Sequence, residues 1–381
     1  MDTNVSIIIT ISLILISSPF LSRILRIPTT PIEIALGSIA ILLGFVSHNE
    51  IFHLMAEVGF FYLMFLAGLE VDLRDLLRTP KNDVIKGLLY TFSLFALSYV
   101  AILIFDLSIL YIAILPLISI GLLPALIKEF GKDVSWLNFS LSMGIIGEIF
   151  SIAALTITSA SFEFGVGFEL YRAIGYFTIF LLAVMFVFHF SKILFWWFPI
   201  LQEKLMPQFD KNDKDVRFSM AIFFLIIAVM LILHLEVAFG AFVAGMFITT
   251  FFDHKASLPH KLESFGFGFL VPIFFIYVGT TFDLRYLLYP ELLMKASLII
   301  FLMIFIRFVS SFIFDNLPTI NKKFLFALSH SMPLTLIVAI STIAYKAEHI
   351  QKLDYYALIL ASIAEVIICM ILIKGLYKIK I

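Results

Sequence analysis

Ala67-Gly-Leu-Glu-Val-Asp-Leu-Arg-Asp-Leu-Leu77 and Val278-Gly-Thr-Thr-Phe-Asp-Leu-Arg-Tyr-Leu-Leu288 are one pattern written twice. Both read G-x-x-x-D-L-R-x-L-L, and the second copy lies 211 positions after the first. Each copy closes a long apolar block. The chain as a whole is 62% hydrophobic and 14% charged, with 44 Phe and a mean hydropathy of +1.08. Soluble domains run nearer half apolar and a quarter charged. A membrane helix needs roughly 20 mostly apolar residues, and blocks of that length recur from end to end.

Thirteen spans are expected, at about 4–22, 30–47, 52–71, 85–105, 107–128, 135–160, 170–200, 217–234, 236–252, 264–282, 291–314, 323–345 and 354–374. An odd count puts the termini on opposite sides. With the N-terminus outside, 20 of the 26 Lys and Arg fall on the cytoplasmic side, five fall outside, and Arg307 remains within a span. That asymmetry is the positive-inside pattern. The expected setting is a bacterial inner membrane with the C-terminus cytoplasmic. The first block follows Asp2 rather than basic residues and lacks a small-residue cleavage site, so it reads as a retained helix. The polar stretch from Gln202 to Arg217 reads as a cytoplasmic linker, and no soluble domain is expected. A net charge of −1 argues against a nucleic-acid partner. The single Cys369 rules out an intrachain disulfide framework.

In this topology Arg74 is inside and Arg285 outside, so the two copies run in opposite senses. That is the signature of an inverted-topology repeat. Residues 1–160 would form the first half, 161–216 a linker helix and loop, and 217–381 the second half. Ions in such folds bind near mid-membrane, where broken helices expose backbone carbonyls and N–H groups. Ser119-Ile-Gly-Leu-Leu-Pro124 and Ser329-His-Ser-Met-Pro333 occupy matching spans, with Gly121, Pro124, Ser331 and Pro333 as break residues. Glu148 follows the first break, in Ser140-Leu-Ser-Met-Gly-Ile-Ile-Gly-Glu148-Ile, with no Lys or Arg within ten residues on either side. An ionisable residue in such a run marks a functional site by default. Its repeat mate carries Glu365, in Ala361-Ser-Ile-Ala-Glu365-Val-Ile-Ile.

Four motifs are similar to the monovalent cation:proton antiporter family of the Kef and Nap type. They are Arg26-Ile-Pro-Thr-Thr-Pro-Ile-Glu33, Glu57 through Arg74, Phe239-Gly-Ala-Phe-Val-Ala-Gly245, and Gly268-Phe-Leu-Val-Pro-Ile-Phe-Phe-Ile-Tyr-Val-Gly279. The resemblance covers nearly the whole chain, and the second motif is the most specific. It implies a sodium/proton-antiporter-like all-α fold of about thirteen helices with two broken crossing helices. It also implies a homodimer whose subunits have a dimerisation domain and a mobile core; this chain reads as a divergent member, and no C-terminal nucleotide-binding domain is expected in it. Glu148 falls where the family places its ion-binding Asp, and Arg307 where it places a mid-membrane Lys or Arg. There are departures. The family often has two adjacent polar residues where this chain has Gly147-Glu148. Ile120 replaces a usual Thr, Leu334-Thr335-Leu336 replaces Arg-Gly-Glu, and Glu365 is extra.

The expected chemistry is competition at one site. A carboxylate binds either H⁺ or Na⁺ or K⁺, and alternating access exposes it to each side in turn. Glu148 is the expected ion and proton site, with Ser119, main-chain carbonyls and water as further oxygen ligands. Glu365 is a second candidate acid. One carboxylate gives one negative charge, hence electroneutral exchange. Guanidinium stays charged, so Arg307 is expected to neutralise Glu148 or Glu365 rather than carry a proton. Glu70 and Asp72 read as orienting or capping residues near a membrane face. His189, His234 and His330 read as pH-tuning or packing histidines, and Trp196-Trp197 as an aromatic belt. No cofactor and no enzymatic activity are expected. The partners are the bilayer, the cation, the proton and a second copy of the chain. Two other readings stay open: an organic-anion symporter or exchanger using Arg307, and a degenerate membrane sensor that transports nothing.

Overall fold

The computed structural model describes residues 3–25, 28–46, 50–72, 74, 80–120, 123–131, 134–164, 168–207, 213–233, 235, 237–252, 255 and 257–378. Part of the first repeat copy (73 and 75–77), Gly121, His234 and the side chain of Pro124 lie outside the described residues. The described chain is helical, without a strand. The helices are α1 Thr3–Leu25, α2 Thr29–Leu42, α3 Glu50–Leu69, α4 Lys81–Phe105, α5 Tyr111–Ile114, α6 Leu123–Phe130, α7 Ser135–Phe164, α8 Phe168–Trp197 and α9 Pro199–Leu205. They continue with α10 Lys214–Ile232, α11 Val237–Phe251, α12 Leu258–Phe265, α13 Val271–Thr281, α14 Pro290–Ser310, α15 Ile320–His330, α16 Leu334–Lys346 and α17 Lys352–Lys378. Among the described residues, nine helical stretches are long and apolar enough to cross a membrane alone, and α15 with α16 passes as a pair bent by 45°.

Helix occupies every one of the thirteen expected segments, but three differ in kind from a plain span. Segment 107–128 is two short helices, α5 and α6, separated by irregular backbone. Segment 323–345 is broken at Ser331–Pro333. Segment 264–282 belongs to a longer stretch that starts at Leu258 and passes through a π-helical turn at Gly266–Leu270. Pro272 accounts for the wide turn: it has no N–H to donate and its ring crowds the carbonyl of the preceding turn. The Val271 N–H bonds to Gly266 O instead.

The chain forms two compact units, residues 1–73 with 164–284, and 74–163 with 285–381. In the first, two helix pairs approach to backbone contact, α2 against α13 and α3 against α11. Glycine makes this possible. A Cβ on Gly37 would strike the carbonyl of Ile276, and one on Gly279 that of Ile34. A Cβ on Gly68 would strike the carbonyl of Phe242, and one on Gly245 that of Phe65. Small residues serve close helix packing in membranes in the same way. Thr249 Oγ1 donates to Leu69 O at 2.6 Å, and Ser38 Oγ to Gly279 O at 2.8 Å, so both pairs are also pinned by hydroxyls.

In the second unit α14 packs against α4, α15 and α17. Its Arg307 is among the largest fully buried side chains of the molecule. The outward faces are apolar, with Phe92, Leu103 and Ile104 of α4 exposed, as lipid contact requires.

Candidate functional site

Breaking a helix inside a membrane leaves backbone groups that need partners, because unmatched ones cost several kcal/mol each. In the second unit those partners are the residues the sequence singles out. After α5 the chain runs without helix from Leu117 to Ile120. Leu117 O accepts from Arg307 Nη2. The Ile118 N–H donates to Ser151 Oγ at 2.8 Å, and Ser151 in turn donates to Gly147 O at 2.8 Å. Ser119 Oγ donates to Glu148 Oε1 at 3.3 Å, and the Ile120 N–H points to Glu148 Oε2 at 3.4 Å. Glu148, 1% exposed on α7, thus faces the first break with both carboxylate oxygens.

The glycines of α7 permit this approach. A Cβ on Gly147 would collide with the Ile118 side chain, and one on Gly144 with Ile120. The space beside Gly147, where the sequence resemblance led to the expectation of a second polar residue, is therefore filled by Ile118 rather than left open.

The second break is organised from the other side. His330 ends α15, and its carbonyl accepts from Arg307 Nε at 3.0 Å. Arg307 Nη1 bonds to Met303 O, one turn back on its own helix, at 2.7 Å. One guanidinium therefore holds carbonyls of both breaks. Ser331 Oγ donates to Ala327 O at 2.9 Å, and Ser331 O accepts from Cys369 Sγ at 3.3 Å. The His330 ring is held as well: Nε2 lies 2.8 Å from Ser140 O and Nδ1 lies 3.2 Å from the Tyr90 hydroxyl. A carbonyl can only accept, so Nε2 carries the hydrogen and the Tyr90 hydroxyl donates to Nδ1.

Glu148 and Ser119 come together, with Ile120 beside them. Among the described residues Arg307 does not join them in an ion pair, and it donates to the carbonyls of His330, Met303 and Leu117. Glu365, fully buried on α17, lies near the Arg307 charge, yet among the described residues neither of its oxygens has a hydrogen-bond partner. Ser331 and Pro333 fall in the second break. Pro124 lies in the first turn of α6, where proline is tolerated, so the break precedes it. Sequence reasoning missed Ser151, Met303, Ser140 and Tyr90. Ser151 carried a signal, being one turn from Glu148 on the same helix. The other two side-chain contacts join segments 190 and 240 positions apart, and nothing local points to them.

Comparison with known proteins agrees with this architecture. Residues 8–378 match the sodium/hydrogen exchanger, transmembrane family. A protein of Methanocaldococcus jannaschii, provisionally named Na⁺/H⁺ antiporter 3, is 27% identical over 288 residues, covering 71% of this chain and 69% of its own length. The Bacillus subtilis protein YjbQ, provisionally named a Na⁺/H⁺ antiporter, is 26% identical over 93% of this chain and 60% of its own length. The structure of the sodium proton antiporter MjNhaP1 from Methanocaldococcus jannaschii superposes with a TM-score of 0.66 at 16% identity, covering 98% of this chain and 97% of that one. Together with the helical breaks and the apolar spans, the match over nearly the whole length establishes that this chain is a member of the sodium/hydrogen exchanger family of transmembrane proteins.

Proposed function

We propose that this chain exchanges a monovalent cation, Na⁺ or K⁺, for H⁺ by alternating access, with Glu148 as the site both ions share. The observation that carries this reading is the buried Glu148 carboxylate, turned toward the unwound backbone of Ser119 and Ile120. Protonated, the acid is neutral and is accommodated without a counter-ion. Deprotonated, its charge requires a cation, and Glu148 and Ser119 offer oxygen ligands. The two loads exclude each other, which is the condition for antiport. With one carboxylate in the site, one cation replaces one proton and the exchange is electroneutral. Arg307 holds the two breaks in register through their carbonyls rather than by pairing with Glu148. An organic anion is a poor alternative cargo, because the guanidinium it would need is fully buried and engaged by protein oxygens.

The glycine contacts support the inverted repeat. Gly68 and Gly279 are the glycines of the two repeat copies. Each packs on the partner helix of its own pair, which comes from the opposite half of the chain: Gly68 on α11 and Gly279 on α2. An exchange of α2 with α11 and of α3 with α13 carries one contact into the other, as two inverted halves would. The chain sits in the cell membrane with its N-terminus outside and functions as a homodimer. The experiment is exchange in liposomes holding a pH-sensitive dye. Pulses of Na⁺, K⁺ or Li⁺ should change internal pH for the wild type. Silence to all three cations would end the antiport reading.

A further inference from the structure

Glu365 is the buried polar group that the exchange reading leaves unused. Among the described residues both its oxygens lack a hydrogen-bond partner, and the residue is 0% exposed. A bare carboxylate charge in that position would be costly, whereas a neutral acid is far less so. Arg307, within Coulombic range, is meanwhile engaged elsewhere, with three of its N–H groups on the carbonyls of Met303, Leu117 and His330. The His330 carbonyl closes α15, at the negative end of that helix. The guanidinium charge is thus met by backbone dipoles, not by an acid.

We propose that Glu365 is a positioning residue whose own proton decides where Arg307 is held. With the proton on, Arg307 clamps Leu117 O and His330 O as it does in this structure, and both breaks are tied. When Glu365 releases its proton to water, the new carboxylate attracts the guanidinium strongly in these apolar surroundings. Arg307 carries more donors than the three now engaged, and it turns toward Glu365. The first break, Leu117 to Ile120, then loosens next to the Glu148 site. Exchange is slow at acid pH and accelerates as pH rises, while the proton on Glu365 is not itself cargo. This rests on the exchange reading above and adds its regulation.

The groups that face Glu365 are few among the described residues. From α14 there is Arg307, and on α17 itself Cys369, one turn on. From α15 comes the carbonyl end at His330, whose ring is held by Tyr90 of α4. The titratable residues of α16, Tyr345 and Lys346, stand at its far end.

Cys369 supplies a native reporter. It is the chain's single cysteine, and its thiol donates to Ser331 O in the second break. The test uses the purified full chain in liposomes, with two readouts from pH 6 to 9: exchange rate, and alkylation of Cys369 by membrane-permeant N-ethylmaleimide. For the wild type, exchange should rise with pH, and alkylation should rise faster than that of a free thiol. Glu365→Gln should keep exchanging but lose the rise that one titrating proton supplies, up to about tenfold per pH unit. Its alkylation should follow the free thiol. Glu365→Asp should restore both dependences, which also guards against a folding defect in the amide variant. Glu148→Gln should stop exchange yet keep the pH-dependent alkylation, so failure of the exchange reading shows separately. The proposal is overturned if Glu365→Gln keeps both wild-type profiles. It is equally overturned if Glu365→Gln abolishes exchange at every pH, for Glu365 would then carry the transported proton.

Discussion

Glu148 is legible in the sequence because a lone acid in an apolar helix has few things to be. Its partners are less so. Ser119 could be read from its place before Gly121, but that its hydroxyl meets one oxygen while the Ile120 N–H meets the other is a property of the unwound chain. Under the proposed exchange, Ser119→Ala removes one oxygen ligand and the hydrogen bond to Glu148. A lost hydrogen bond of about 1 kcal/mol predicts an apparent cation KM raised about fivefold, with the maximal rate largely kept. A dye assay across cation concentrations checks this, and an unchanged KM would remove Ser119 from the site. Gly147 reads from sequence as a missing polar group, whereas in the structure it is the space Ile118 fills. Placing a second acid there with Gly147→Asp should therefore destabilise the protein, by about 1–3 kcal/mol from overpacking. A lower Tm in detergent is the expected result, and an unchanged Tm contradicts the packing account.

At the scale of elements, the two breaks were foreshadowed by proline and small polar residues, but their limits were not. The first is already unwound at Leu117, and Pro124 lies inside α6. Proline marks where a helix can start as readily as where one fails, so the motif alone gives no boundary. Arg307 illustrates the same limit. Its sequence position suggests a counter-charge, and only the fold reveals that both breaks present carbonyls to it. Arg307→Met should leave the Leu117 and His330 carbonyls without this donor, at about 1–3 kcal/mol for each buried group, whereas Met303 O keeps its in-helix N–H. A large loss of Tm is expected, with Arg307→Lys recovering only part of it, since an ammonium cannot reproduce the planar fork. Equal stability of Arg307→Met and wild type would rule out the clamp. The glycine contacts of the first unit were only half visible. The repeat showed Gly68 and Gly279, but not that each meets a helix of the opposite half.

For the whole molecule, composition and charge asymmetry reach as far as a polytopic, all-helical membrane protein, and the family match over residues 8–378 agrees. They do not reach the packing within each unit, which joins two separate stretches of the chain. Contacts between distant segments leave little trace in a single sequence. Charges at the membrane faces matter less for stability. Lys86 Nζ lies 2.7 Å from Asp315, which is exposed and whose carboxyl is held below its usual range by that lysine. The sign follows: the contact persists at neutral pH and is lost as pH falls through the lowered value. An exposed pair of this kind contributes little, so Asp315→Asn should leave Tm at neutral pH essentially unchanged. A clear loss there would mean that the pair fastens the second unit.

The central claim is that one buried carboxylate, Glu148, binds either the proton or the cation. Wild type and Glu148→Gln, reconstituted side by side with an internal pH dye and pulsed with Na⁺, K⁺ and Li⁺, test it most directly. The account predicts a cation-driven pH change for the wild type and none for Glu148→Gln. Cation-driven proton movement that survives in Glu148→Gln would contradict it.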